Sequence, residues 1–286
     1  MGRNLKLVLS YDGADFSGWQ VQPGRPTVQG ALAAALERVT GERVLPQGSG
    51  RTDAGVHALA QVASCALESD SAIPAQNLVR ALNDLLPPAI RVLSVEDAPP
   101  EFHARLSAKA KTYRCRIFRG SICPPFLARY VYHHPFPLDD EAIGRAAPWV
   151  VGEHDFTSFA AVDPEDRVAR APSPAKARVA AGDSPAGERV AQEPAVSGVE
   201  GSSAVRTNVR TIFSSTWERR GEELIYTVRG SGFLHHMVRN LVGTFLQVGK
   251  GSLDEAAFRR ILDSKNRSAA GSTAPASGLY LVSVEY

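Results

Sequence analysis

The chain has 286 residues, 44% of them hydrophobic and 22% charged, with a formal net charge of +2. That length can bury a sizeable core as one large or two modest domains, and so even a charge balance does not by itself identify a nucleic-acid partner. Cys65, Cys115 and Cys123 lack metal-ligand spacing and no stretch is apolar enough to span a membrane, so a disulfide scaffold, a zinc framework and a membrane protein are excluded, and the expectation is a cytoplasmic protein with reduced thiols.

The opening segment Met1-Gly2-Arg3-Asn4-Leu5-Lys6 has no signal-peptide pattern. Leu5, Leu7 and Leu9 alternate with Lys6, Val8 and Ser10, which predicts a half-buried strand. Thr27 reads as an N-cap, Val28, Leu32, Leu36 and Val39 fall at helical spacing, and Gly41 supplies the stop. A glycine-rich loop from Gly48 to Gly55 precedes a short strand from Gln61 to Leu67. Asn77 to Leu86 predicts a helix closed by Pro87-Pro88, and Arg91 to Glu96 another strand.

The second half opens with a strand from Tyr113 to Phe118, with Tyr113, Cys115 and Ile117 on one face and Arg114, Arg116 and Phe118 on the other. Asp139 to Val151 reads as a helix strained by Pro148. Asp163 to Val205 contains no aromatic residue, no Leu and no Ile, so it cannot bury enough apolar surface to offset the entropy of ordering; a disordered insertion is expected. Thr211 to Trp217 and Leu224 to Arg229 predict paired strands about a turn at Arg220-Gly221. Leu234, Val238, Leu241, Val242, Phe245 and Val248 form an apolar helical stripe. Helices alternating with strands predict a layered α/β or α+β fold.

Several residues invite chemical readings. Gly48 to Gly55 presents the carboxylate of Asp53 among small residues, beside Arg51, whose guanidinium can fork onto a carboxylate or an anionic ligand. A polar turn in which Asp53 caps a helix is the competing reading. The loop lacks the Lys-Ser/Thr pair of a phosphate loop, so ATP is not implied. His57 is read as shaping this loop, and His103 and Arg105 either touch phosphates or sit on an ordinary surface. Basic residues crowd two segments, Arg105, Lys109, Lys111, Arg114, Arg116 and Arg119, then Arg206, Arg210, Arg219 and Arg220. Arg239 is placed on a helix with His235 and His236 at the preceding turn. The adjacent histidines are not read as metal ligands, because neighbouring helix positions diverge and no further ligands have zinc spacing. No metal and no cofactor is expected.

Gly50-Arg51-Thr52-Asp53-Ala54-Gly55-Val56-His57 resembles the active-site motif of the tRNA pseudouridine synthase A family. Further blocks resemble that family in the same order: Tyr11-Asp12-Gly13 with Gly18-Trp19-Gln20, Phe102-His103-Ala104-Arg105, Lys111-Thr112-Tyr113-Arg114, Gly152-Glu153-His154-Asp155-Phe156-Thr157-Ser158-Phe159, Phe233-Leu234-His235-His236-Met237-Val238-Arg239-Asn240 and Gly278-Leu279-Tyr280-Leu281-Val282. The resemblance implies an α+β pseudouridine synthase fold, with two mixed domains of antiparallel sheet and flanking helices, a catalytic cleft between them, and pairing as a homodimer. The division expected here is residues 1–105, carrying the Asp53 loop, and 106–286, carrying the insertion at 163–205.

By the same resemblance the chain is expected to isomerise uridine to pseudouridine in the anticodon stem-loop of tRNA, at positions 38 to 40, without a cofactor. Asp53 is then the catalytic carboxylate, Tyr113 the base-stacking partner and Arg239 the charged support of Asp53. Arg51, His103 and Arg105 join Tyr113 as substrate-binding residues. Whether Asp53 attacks the base or the sugar is left open by the residues. Two rivals are a non-catalytic structured-RNA-binding protein on the same fold, and a glycosidase or N-glycosylase, which needs a second acid such as Asp12 or Asp15.

Overall fold

The computed structural model describes residues 2–68, 73–161 and 207–286. The expected insertion at Asp163 to Val205, and Arg206 beside it, lie outside the described residues. Residues up to Ala161 and from Asn208 form one compact unit.

Among the described residues ten strands share one mixed sheet. They are β1 (Arg3–Tyr11), β2 (Gln47–Gly48), β3 (His57–Leu67), β4 (Ile90–Ala98), β5 (Ala110–Phe118), β6 (Tyr132–His133), β7 (Gly152–Asp155), β8 (Val209–Arg220), β9 (Glu223–Gly230) and β10 (Leu279–Glu285). The order is β4-β1-β3-β10-β5-β9-β8-β7, with β2 on β3 and β6 on β5. Seven pairings are antiparallel and two, β3 with β10 and β5 with β6, are parallel. In β1 the expected alternation is present, with Leu5, Leu7 and Leu9 fully buried between half-buried neighbours. The strands of the first half and those of the second meet at β10, which pairs with β3 through Tyr280↔His57 and Leu281↔Ala58 and with β5 along most of its length.

Helices lie on the sheet where their apolar faces direct them. In α1 (Val28–Thr40) the Thr27 side chain accepts the Gly30 N–H, and Gly41 ends the helix in the left-handed region, as read. The predicted Asn77 helix is α2 (Ala75–Leu85); it stops at Leu86, whose extended backbone is what a following proline imposes. A short α3 (Pro125–Ala128) was not expected. The predicted Asp139 helix is α4 (Asp140–Ala146) only, because Pro148 removes a donor and the chain tightens into a 3-10 turn at Ala147–Val150.

The last two helices are α5 (Met237–Gly249) and α6 (Glu255–Ser264). The predicted apolar stripe belongs to α5, which is buried nearly all round. Phe245 lies 5.6 Å from Trp217, 5.2 Å from Tyr226 and 4.5 Å from Phe258, ring centre to ring centre, which locks α5 between the sheet and α6. Gly243 lets residues 271–274 cross this helix at backbone contact: a Cβ there would stand 1.7 Å from the Ser272 carbonyl oxygen. Gly243→Ala is therefore expected to cost about 3 kcal/mol of stability, read as a lowered midpoint in denaturant unfolding. A variant within 0.5 kcal/mol of wild type would contradict this packing.

Candidate active site

The loop that carries Asp53 spends its backbone groups inward. Trp19 N–H donates to the Thr52 carbonyl at 3.0 Å, Gln61 Nε2 donates to the Gly50 carbonyl at 2.9 Å, and the Ser49 hydroxyl donates to Gln61 Oε1 at 2.7 Å. The Thr52 hydroxyl meets the Tyr11 hydroxyl at 2.8 Å. Gly18, at φ +92, makes the close passage possible, since a Cβ there would lie 2.6 Å from the Thr52 carbonyl oxygen. With the backbone so anchored, the Asp53 side chain stays 18% exposed at the surface of the loop. The capping alternative fails: Asp53 leads into β3, and its carboxylate pairs with side chains from the other end of the chain.

Those side chains are Arg239, His235 and His236. Arg239 Nη1 donates to Asp53 Oδ2 at 2.9 Å, and its Nε donates to the Ala274 carbonyl at 2.7 Å. His235 Nε2 lies 3.5 Å from Oδ1 and His236 Nε2 3.4 Å from Oδ2. This corrects the expectation that the histidines lie on the helix and diverge. The helix begins at Met237, and His236 precedes it with φ 59 and ψ 3, a left-handed conformation that costs a bulky residue about 1–3 kcal/mol. That turn brings the two rings to 3.9 Å centre to centre, both facing one carboxylate. Burial holds the His236 imidazole below its usual pKa; Asp53 pulls it upward, while His235, Arg239 and Arg267 push it down.

Tyr113, on β5, is buried and meets Phe233 edge-on at 5.0 Å. Burial, and then the nearby Tyr11 and Asp53, push its phenol far above the usual value. The phenol therefore keeps its proton at neutral pH. Two positions before it, Lys111 donates through Nζ to the Ser49 carbonyl, bracing the Asp53 loop from β5. Burial, helped by Arg105 and Arg210, lowers its pKa to about 8 from 10.5. Between those values the unfolded chain binds more protons than the folded one, so folding gains stability as pH rises through that window. Measured by urea unfolding, the wild type should gain on Lys111→Met from pH 8 to pH 10; parallel curves would sink the assignment.

Arg51 is exposed on the rim of the loop, and the guanidinium seated on Asp53 is that of Arg239. His103 Nδ1 accepts the N–H groups of Arg105 at 3.1 Å and Leu106 at 3.3 Å, so this ring shapes its own turn. Arg105 is exposed, and its charge is felt by Lys111 and Arg210, which groups these three cations beside the loop. Other members of the two basic segments are engaged elsewhere: Arg116 with Glu223, Arg119 and Arg219 with Asp140, and Arg220 with Glu218. His57 is buried and tied to the loop surroundings; Gly13 N–H donates to its Nδ1, and its Nε2 faces the carbonyls of Arg129 and Ser277 at 3.1 Å. Asp12 accepts from the Tyr130 hydroxyl and Asp15 pairs with Arg129, so both early acids are engaged by residues near 130.

A loop carboxylate held by an arginine, with a protonated tyrosine and three cations close by, suits chemistry on a flipped base of a polyanion. The sequence pattern of one family, described as tRNA pseudouridine synthase, matches residues 7–106 and 199–286. The chain belongs to the tRNA pseudouridine synthase family. It is 46% identical over 284 residues to the tRNA pseudouridine synthase A of Solibacter usitatus (strain Ellin6076), covering 99% of this chain and 100% of the relative. A Brevibacillus brevis synthase of the same name is 40% identical over 99% of this chain and 100% of its own, and one from Latilactobacillus sakei 39% identical over the whole of both chains. The matched stretches hold Asp53, His235, His236 and Arg239, while Lys111 and Tyr113 of this synthase fall between them and enter the site through the sheet. The two histidines are what sequence reading missed, because nothing in residue type announces a left-handed turn at His236.

Proposed function

We propose that this tRNA pseudouridine synthase isomerises uridine to pseudouridine in the anticodon stem-loop, with Asp53 as catalytic carboxylate, Arg239 as its support and Tyr113 as the stacking partner of the base. The observation that carries the reading is the Asp53–Arg239 pair at 2.9 Å, in a member of this family, beside a buried tyrosine. In the reaction the bond from ribose C1′ to uracil N1 breaks, the base turns, and C1′ bonds to C5. The C5 proton leaves and N1 gains one, so no redox partner is needed. Asp53 supplies the oxygen that meets the electron-poor centre, and Arg239 on Oδ2 leaves Oδ1 for that task. Stacking on Tyr113 at about 1–3 kcal/mol offsets much of the cost of extruding the base.

Arg51, Arg105 and the His103 turn belong in this reading to the surface that takes the RNA backbone. Arg105→Gln should lower the slope of log affinity against log salt by about 0.9 in filter-binding titrations, with turnover at saturating tRNA unchanged. An unaltered slope would remove Arg105 from the interface. The same reading has a homodimer working in the cytoplasm, with a domain division near residue 105; light scattering of the purified protein tests the dimer. The function itself is tested by pseudouridine mapping on an unmodified tRNA transcript. Conversion confined to the anticodon stem-loop is the expected result, and tight tRNA binding without conversion would favour the non-catalytic RNA-binding reading instead.

A further inference from the structure

Asp53, His235 and His236 gather one carboxylate and two imidazoles, with one ligand atom from each within 4.8 Å of the others. At 3.5 and 3.4 Å the two imidazole-to-carboxylate contacts are too long for good hydrogen bonds. Ligands about 2.0–2.1 Å from a tetrahedral zinc ion stand roughly 3.3–3.4 Å from each other, and each imidazole stands about that far from one oxygen of the carboxylate, His235 from Oδ1 and His236 from Oδ2. We propose that these three residues form a binding site for a borderline divalent cation such as zinc, and that its occupancy silences the enzyme by capturing the carboxylate. The site stands on geometry alone; the silencing rests on the reading of Asp53 as the catalytic carboxylate.

The donor set is chemically apt, since two neutral imidazoles and a carboxylate suit zinc or cobalt and leave a fourth position for water. The left-handed turn at His236 holds both rings in place before any ion arrives. Two features limit the affinity. Arg239 Nη1 already occupies Oδ2 at 2.9 Å and repels a second cation, and among the described residues the buried His235 Nδ1 has no hydrogen-bond partner to accept the N–H that metal binding at Nε2 would fix there. Micromolar rather than structural binding follows, and an entering uridine competes for the same carboxylate.

Cobalt(II) added to the metal-free protein should give the visible bands of a tetrahedral site, saturating at one ion per chain and bleached by zinc. His235→Asn and His236→Asn should each weaken binding at least about tenfold; asparagine is chosen because it tolerates the left-handed turn. Excess tRNA transcript should bleach the bands of the wild type, a measurement that needs no variant. Absence of saturable bands, or wild-type binding by both variants, would overturn the site, and bands untouched by bound tRNA would overturn the silencing. In the conversion assay zinc should inhibit with the midpoint at which it displaces cobalt, and a chelator should restore the rate; activation by zinc would overturn the silencing. A metal-free protein that converts no tRNA would instead defeat the isomerase reading, while the cobalt spectra still decide the site.

Discussion

Asp53→Asn is expected to slow uridine conversion at least about 10⁴-fold, the scale of losing an essential nucleophile. Asparagine keeps the size of the side chain and an oxygen for Arg239 Nη1, but it lacks the charge and nucleophilicity that the reaction draws on. The loop holds its shape through Thr52, Gly50 and Ser49, none of whose bonds involve the Asp53 carboxylate. Stability should thus fall by no more than about 1–3 kcal/mol, the cost of leaving the Arg239 cation with a neutral partner. Affinity for tRNA should stay within a few-fold of wild type, because the exposed cations are untouched. Single-turnover assays with pseudouridine mapping check the first quantity and filter binding the second. Conversion within tenfold of wild type would remove Asp53 from the chemistry.

Arg239→Ala is expected to damage both the fold and the rate. The guanidinium makes two bonds that join separate parts of the chain: Nη1 to Asp53 and Nε to the Ala274 carbonyl. Both side chains are mostly buried, 16% and 18% exposed, so removing one strands the other in a poorly solvated place. The expected loss is about 3 kcal/mol, toward the lower end for a broken buried pair because the two histidines still face the carboxylate. The rate at saturating tRNA should fall about 10²–10³-fold, as when one positioned donor is removed from a reacting centre. Arg239→Lys should recover part of the stability but little of the rate, since an ammonium cannot hold the carboxylate and the carbonyl in one planar fork. A lysine variant with wild-type turnover would mean that charge alone matters here.

Much of this was legible in the residues because it is local. The leucine alternation of β1, the Thr27 cap and Gly41 stop of α1, and the apolar stripe of α5 each follow from spacing and propensity within a dozen residues. The helix expected from Asp139 to Val151 is overlong, because α4 ends at Ala146 and the chain tightens into a 3-10 turn around Pro148. Asp53 and Arg239 were found through motif resemblance, and their contact is a tertiary fact that no window of sequence contains. The same limit explains the basic segments. Arg116 and Arg119 read as part of one cluster with Arg105 and Lys111, but Glu223 and Asp140 reach them from distant elements. His235 and His236 escaped because helical periodicity was extended three residues too far, from Met237 back to Leu234, across a left-handed conformation uncommon for any residue but glycine.

The seam at β10 also has a consequence in time. Tyr280↔His57 and Leu281↔Ala58 join segments near opposite ends of the sequence, and a closure of that length is slow and earns nothing until it completes. Asp53 precedes β3, and Arg239 lies on a helix packed against β8 and β9, so the carboxylate and its arginine are assembled from the two sides of that seam. A partly folded chain can thus own every functional side chain and still be inert. The Asp53–Arg239 pair is a product of the joined sheet and of neither side alone.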